Sequence, residues 1–251
     1  SLPEDIRREP TLAKFKSLLK KHLLSTKTQG ITTKMVMLTP YSILLVLNLL
    51  YNTGNTEMES KIVGGSEVSI DSYPHSAFLK IYCSDSVDTD SWICGASIVN
   101  QWILLTAAHC LDDCVPKNIQ MVIAVGSTDR KSNKQQLASA SKFYVHEKYD
   151  TEEVANDIAL VLARSKIVLG PKVKRVVLMK KPPYGEQAFV AGWGTVDVSD
   201  SGSALIVRGY IQIGIVSYKV PATSKSLSVY TDVGYFYDWI VEKSRKLYCR
   251  Q

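Results

Sequence analysis

The sequence predicts an all-β barrel or sandwich closed by one C-terminal helix. Two observations carry this fold class. Over residues 62–251, short runs rich in β-branched and aromatic residues alternate with turn residues: Ala77–Tyr82, Ile93–Asn100, Ile119–Val125, Ile158–Ala163, Gln187–Ala191 and Ala204–Tyr218. Helical spacing of apolar residues then ends the chain, with Phe236, Trp239, Ile240, Lys243 and Leu247 on one face and Lys243, Arg245 and Lys246 favouring its C-terminal end. Composition agrees. Across 251 residues, 45% are hydrophobic and 22% charged, which excludes collagen, long disorder and a coiled coil. No run of 18 apolar residues marks a membrane span.

The chain divides into three unlike pieces. Residues 1–34 hold eight Lys/Arg against three acids, so they carry +5 of the formal +6 and leave +1 for the other 217 residues. Charge therefore gives no reason to expect nucleic acid on the main body. Pro10 and Thr11 open a helix whose Leu12, Phe15, Leu19 and Leu23 share a face, and a polar linker follows. Such a helix could dock on an anionic surface, but a solvated helix is the plainer expectation. The chain opens on Ser1, not Met, which reads as a fragment or a gene lacking its true start. Residues 35–61 read as a signal peptide and short propeptide: Met35 or Met37 as start, Lys34 as basic flank, and the apolar run Ile43–Tyr51 broken only by Asn48. A removed signal implies secretion into an oxidising, extracellular setting. Residues 62–251 are the β-rich body. Within them, Ala204–Tyr218 reads as two strands around a tight turn at Arg208-Gly209.

Three segments bear chemistry. Thr106-Ala107-Ala108-His109-Cys110 offers an imidazole, Asn156-Asp157-Ile158-Ala159-Leu160 a carboxylate beside an apolar strand, and Asp200-Ser201-Gly202 a hydroxyl on a turn. A serine hydroxyl needs a base near neutrality, and imidazole has the right pKa. The imidazole in turn needs a carboxylate to fix its tautomer. Taken singly each segment is weak: a lone His is more often structural, a lone Asp a cap, a Ser-Gly pair a turn. Their joint order is not weak. Lys61-Ile62-Val63-Gly64-Gly65 opens the domain and Ala191-Gly192-Trp193-Gly194 precedes the serine.

These motifs, with Val229-Tyr230-Thr231 and a terminal helix bearing Trp239, make residues 62–251 resemble a chymotrypsin-like serine protease of the trypsin superfamily. The resemblance implies two antiparallel β-barrels of the six-stranded type with a C-terminal helix. It implies His109 as general base, Asp157 as its orienter and Ser201 as nucleophile. Lys61–Ile62 matches the family's activating cleavage site, after which the amino group of Ile62 would pair with Asp200. The backbone N–H groups of Ser199 and Ser201 would form the oxyanion hole. Ser217 matches the serine leading into the substrate-pairing strand, and Lys219 stands where a pocket-wall glycine is usual. Cys94 and Cys110 match the disulfide beside the histidine; Cys83 and Cys114 could form a second bridge, and Cys249 is left over. No cofactor or metal is expected, since no Cys-x-x-Cys occurs. Expected partners are protein or peptide substrates, an activating protease and protein protease inhibitors, with the domain a monomer. Separately, the run Leu2–Arg8 followed by Phe15–Lys20 resembles the tail end of reverse transcriptases from non-LTR retrotransposons, which suggests foreign sequence in front.

One departure bears on activity. Only six residues separate Gly194 from Ser201, where the family places several dozen, including barrel strands and the base of the specificity pocket. The second barrel is therefore expected to be truncated, as a skipped exon would make it. Ser199 also replaces the expected oxyanion glycine. Two function classes follow: a secreted serine endopeptidase made as a zymogen, or a catalytically impaired homologue acting as a binding or regulatory module.

Overall fold

The computed structural model describes residues 66–83, 91–112, 119–193, 201–219 and 228–248; the side chains of Cys83, Ile119 and Lys219 lie outside the description. The chain divides into Ser1–Ser60 and Lys61–Gln251. The first unit falls entirely outside the described residues, and with it the helix expected near Leu12 and the signal segment.

The body begins with a closed barrel. Its strands are β1 (Ser76–Cys83), β2 (Ser91–Ile98), β3 (Ile103–Thr106), β4 (Ile119–Val125), β5 (Gln136–Val145) and β6 (Ala159–Ala163), joined in the order β1-β2-β3-β6-β5-β4. Every pairing is antiparallel. Closure leaves no free edge. Alternate residues fill the inside, among them Leu79, Ile81, Ile98, Ile103, Leu105 and Ile123, all fully buried. Burying each side chain of this size contributes about 1.5–3 kcal/mol. β6 differs: all five residues are buried. The C-terminal helix explains it, because its Ile240 and Leu247 join the same apolar cluster as the barrel.

The second half is a five-stranded open sheet. It contains β7 (Val177–Leu178), β8 (Ala188–Val190), β9 (Ala204–Val207), β10 (Ile211–Lys219) and β11 (Ser228–Asp232), in the order β11-β10-β9-β8, with β7 pairing β10 in parallel. Among the described residues this sheet does not close, as the short Gly194–Ser201 junction leads one to expect. β8 pairs only with β9 here, and its Phe189 is left largely exposed. The expected hairpin forms at Arg208-Gly209, with φ of 52° and 77° and Tyr210 N–H donating to the Val207 carbonyl. Arg208 clasps Glu186 across the strands.

A short helix, α1 (His109–Asp112), follows β3, and α2 (Tyr237–Tyr248) ends the description. Asp232 accepts from the N–H groups of Gly234 and Tyr235 and so shapes the turn into α2. Trp239 donates to Glu147 at 2.9 Å, and Lys243 pairs with the same carboxylate, which fastens α2 to the loop after β5.

Candidate active site

Asp157 sits just ahead of β6 and is 1% exposed. The loop before it is closed by pairing of Asp150 with Ala155 and by Asn156 Nδ2 donating to the Lys148 carbonyl at 2.7 Å. Asn156 takes a left-handed φ of 55°, which Asn tolerates better than most residues. This delivers the carboxylate to the start of α1. There the His109 backbone N–H donates to Asp157 Oδ1 at 2.9 Å and the ring Nδ1 lies 2.8 Å from Oδ2. Ser217 Oγ donates to the same Oδ2 at 2.5 Å. Burial pushes the carboxyl up, but the hydrogen bond and charge of His109 and the hydrogen bond from Ser217 outweigh it, and the group is held below its ordinary value. An acceptor at Nδ1 puts the ring proton there, so Nε2 is left with its lone pair free.

The position of Ser217 has a local cause. The register between β10 and β11 slips between Val216 and Tyr218, so Ser217 is the extra residue of a bulge. A bulge re-aims a side chain out of the ladder, and this one turns the hydroxyl into the barrel wall. Beside it, Thr231 Oγ1 on β11 donates to the Asp157 carbonyl at 2.7 Å. The second sheet thus grips Asp157 at both its side chain and its backbone.

Ser201 lies at the start of a turn clamped from two sides. Its carbonyl accepts from Gly95 N–H of β2 at 2.7 Å, and Gly202 N–H donates to the Val216 carbonyl of β10 at 2.8 Å. Gly202 has φ +83°, and a Cβ there would lie 2.3 Å from Thr106 Oγ1 and 2.4 Å from the Gly95 carbonyl. Only glycine fits. The disulfide Cys94–Cys110 is formed, as the resemblance implied. Its Cys110 Sγ lies 3.7 Å from the Ser201 carbonyl and 3.8 Å from His109 Nε2. The serine segment and the free face of the imidazole therefore flank one sulfur. Among the described residues, no hydrogen bond yet joins the Ser201 hydroxyl to His109. Donor atoms of Cys94, His109 and Cys110 lie within 4.8 Å of one another, but the two sulfurs are bonded together and offer no thiolate to a metal.

The structure brings His109, Asp157 and Ser217 into contact and sets the backbone of Ser201 beside them. Lys61, Ile62, Ser199, Asp200, Cys114 and Cys249 lie outside the described residues, and Cys83 and Lys219 are described only as strand positions. The roles of Thr231, Gly95 and Thr106 are invisible in the sequence: each depends on which strand lies opposite, and no local signal marks that.

The family profile described as Trypsin matches residues 62–199 and 196–240. The two matches meet at the short junction before Ser201. Hypodermin-B of Hypoderma lineatum is 32% identical over 142 residues, which span 56% of this chain and 51% of that protein. Trypsin epsilon of Drosophila erecta is 29% identical over 242 aligned positions, covering 76% of this chain and 90% of the relative. Several dozen of those positions thus have no residue in this chain. The solved structure of a scabies mite inactivated protease paralogue, S-D1, superposes with a TM-score of 0.60 at 20% identity over 73% of this chain and 97% of that one. A closed six-stranded barrel, a second sheet, a C-terminal helix and a profile match over most of the body lead to one assignment: the chain belongs to the trypsin family.

Proposed function

We propose that the chain is a secreted serine endopeptidase that cleaves peptide bonds through an acyl-enzyme. The observation that carries this reading is the pairing of buried Asp157 with half-buried His109, whose free Nε2 shares a sulfur neighbour with the Ser201 carbonyl. In the first step His109 Nε2 takes the proton from Ser201 Oγ while the oxygen attacks the scissile carbonyl. Asp157 keeps the ring oriented and stabilises its cation. His109 then returns the proton to the leaving amine, the acyl-serine forms, and water attacks through the same base. The backbone N–H groups of Ser199 and Ser201 would hold the oxyanion.

On this reading the protein is a zymogen cut after Lys61, and the new amino group of Ile62 pairs with Asp200 to shape that hole. Activation would draw the Ser201 hydroxyl into reach of Nε2. Catalytic hydrogen bonds are often long or unformed before the site is completed. Substrates are proteins or peptides, and the activator is another protease that cuts after a basic residue.

The test is labelling. After cleavage at Lys61, a fluorophosphonate probe is expected to modify Ser201 covalently, and Ser201→Ala to abolish the label. A cleaved chain that takes no label would assign it to the non-catalytic class. Label that survives Ser201→Ala would move the nucleophile elsewhere.

A further inference from the structure

Between Asp157 and Glu186 the chain has no acid and seven bases, Arg164, Lys166, Lys172, Lys174, Arg175, Lys180 and Lys181, all exposed. The body as a whole carries almost no net charge, so this is a local concentration. Three more cations, Arg130, Lys131 and Lys134, stand in the loop ahead of β5. The two stretches lie side by side. Arg164 N–H donates to the Ser139 carbonyl at 2.7 Å, Gln136 Nε2 donates to the Lys166 carbonyl at 3.5 Å, and Val168 N–H donates to Gln136 Oε1 at 3.2 Å. Residues 164–168 thus continue beside the start of β5. Arg164 and Lys166 lie beside the start of β5, and Arg130, Lys131 and Lys134 stand in the loop that enters it; all five are exposed, and among the described residues none has an ion-pair partner. The acid at its margin, Asp129, accepts from the Lys131 backbone N–H.

Exposed apolar side chains stand on the same two segments. Leu137 is 57% exposed and Val168 67% exposed, and Leu169 follows. Neither feature contributes to the fold: the cations repel one another, and the exposed apolar side chains are unfavourable in water until something covers them. A mixed patch of this kind has a definite complement. A sulfated polysaccharide would satisfy the charge but has no side chain to cover Leu137 and Val168. Single-stranded nucleic acid would want aromatic platforms, and this face has none. A second copy of the chain would bring like charge to like.

We propose that this face docks an acidic peptide segment of a protein partner, in which carboxylates alternate with aliphatic side chains. The carboxylates meet Arg130, Lys131, Lys134, Arg164 and Lys166, and the aliphatic groups cover Leu137 and Val168. The patch belongs to the loop before β5 and the segment after β6, not to the residues around His109, so binding here does not depend on hydrolysis. Long-range attraction speeds the encounter and makes it sensitive to ionic strength.

The experiment is fluorescence anisotropy on the full chain carrying Ser201→Ala, which keeps the probe intact whether or not the site is catalytic. The probe is a fluorescein-labelled peptide of alternating Glu and Leu, with a Glu and Ser peptide and a heparin-type polysaccharide as comparators. Saturable binding is expected. It should weaken at least about tenfold in the Lys131→Glu, Arg164→Glu double variant and a few-fold in Val168→Ser. The Glu and Ser peptide should bind more weakly than the Glu and Leu peptide. Thermal melts verify that each variant is folded, and the neutral pair Lys131→Gln, Arg164→Gln gives an intermediate loss if charge reversal disturbs the fold. Equal binding by the charge-reversed or neutral pair overturns the proposal. So does equal binding of the two peptides together with displacement by the polysaccharide, which would make the face a general polyanion surface. Absence of saturable binding by the Glu and Leu peptide overturns it as well.

Discussion

Asp157 gathers more hydrogen bonds than any other side chain of the site: the ring and backbone of His109 and the hydroxyl of Ser217. Its partners divide by what they do. The His109 contacts set the imidazole tautomer, whereas Ser217 only adds a donor to a carboxylate already in place. Two substitutions separate these roles. Asp157→Asn keeps the shape but can present an N–H toward Nδ1, so the ring proton moves to Nε2 and the base is lost. Activity of the cleaved chain toward a peptide substrate should fall by about 10⁴-fold. Ser217→Ala removes one donor to the ionised form, so the Asp157 carboxyl should move up toward its ordinary value, which a carboxyl NMR titration reads directly. The turnover loss should be far smaller than in Asp157→Asn. An unmoved carboxyl in Ser217→Ala would mean that this hydrogen bond does not hold the group down. At this scale the sequence is informative about His109, Asp157 and Ser201, because each sits in a distinctive short motif. It marks Thr231 as part of a motif but not the role of its hydroxyl, which is useful only because β11 lies across from the backbone of Asp157.

Among the elements, legibility follows hydrophobic pattern. β1, β4, β6 and the hairpin of β9 and β10 fall where β-branched runs predict them, and the helix expected over Phe236–Leu247 forms as α2, one residue later. β2 and β8 also fall within expected runs, whereas β3, β5 and β7 have no such signature. β5, with the sequence QLASASKFYV, is mostly half-exposed or exposed and alternates poorly; it is a strand because β4 and β6 each offer it a ladder. β3 is four residues of one apolar stretch, and β7 is two residues. Neither is long enough for a period to show. The serine turn is an element of this second kind, imposed from outside. Gly202 holds φ +83° because Gly95 and Thr106 leave no room for a Cβ and because its N–H is drawn to Val216. Gly202→Ala should therefore cost several kcal/mol, about 3–5, combining a disfavoured φ with one overlap on the Gly95 backbone carbonyl and one on the Thr106 side chain. A denaturant melt measures this. A cost under about 1 kcal/mol would mean that the turn is free to reposition and that the serine is not held by the barrel.

For the molecule as a whole, barrel and sheet are joined by polar contacts that water cannot reach. Ser97 Oγ donates to Gln212 Oε1 at 2.6 Å, Gln212 Nε2 donates onward to the Gly214 carbonyl, and Lys174 N–H reaches the Pro74 carbonyl as the connecting chain crosses the barrel. Next to that crossing lies His75, 2% exposed, whose imidazole burial pushes down to about 4. It has no part in the catalytic pair, yet its burial couples folding to acid. The folded chain holds His75 neutral, while the unfolded chain protonates it near 6.5, so the unfolded state binds more protons between these values. Stability is then full above pH 6.5 and is lost as pH falls toward about 4, by about 3 kcal/mol. Asp157 adds a loss at lower pH, because a carboxyl held down when folded contributes stability only above its unfolded value and gives it up as pH falls through the folded one. The two contributions occupy different windows, and replacement of His75 separates them. In His75→Leu, the fall in unfolding free energy between pH 6.5 and 4 should shrink to the share left by His146, whose imidazole pKa burial also lowers, while the decline at lower pH remains. The slope against pH, not the absolute stability, is the readout, so a packing defect at Leu does not obscure it. Parallel slopes for the two chains would show that His75 is protonated in the folded body and that some other group carries its acid response.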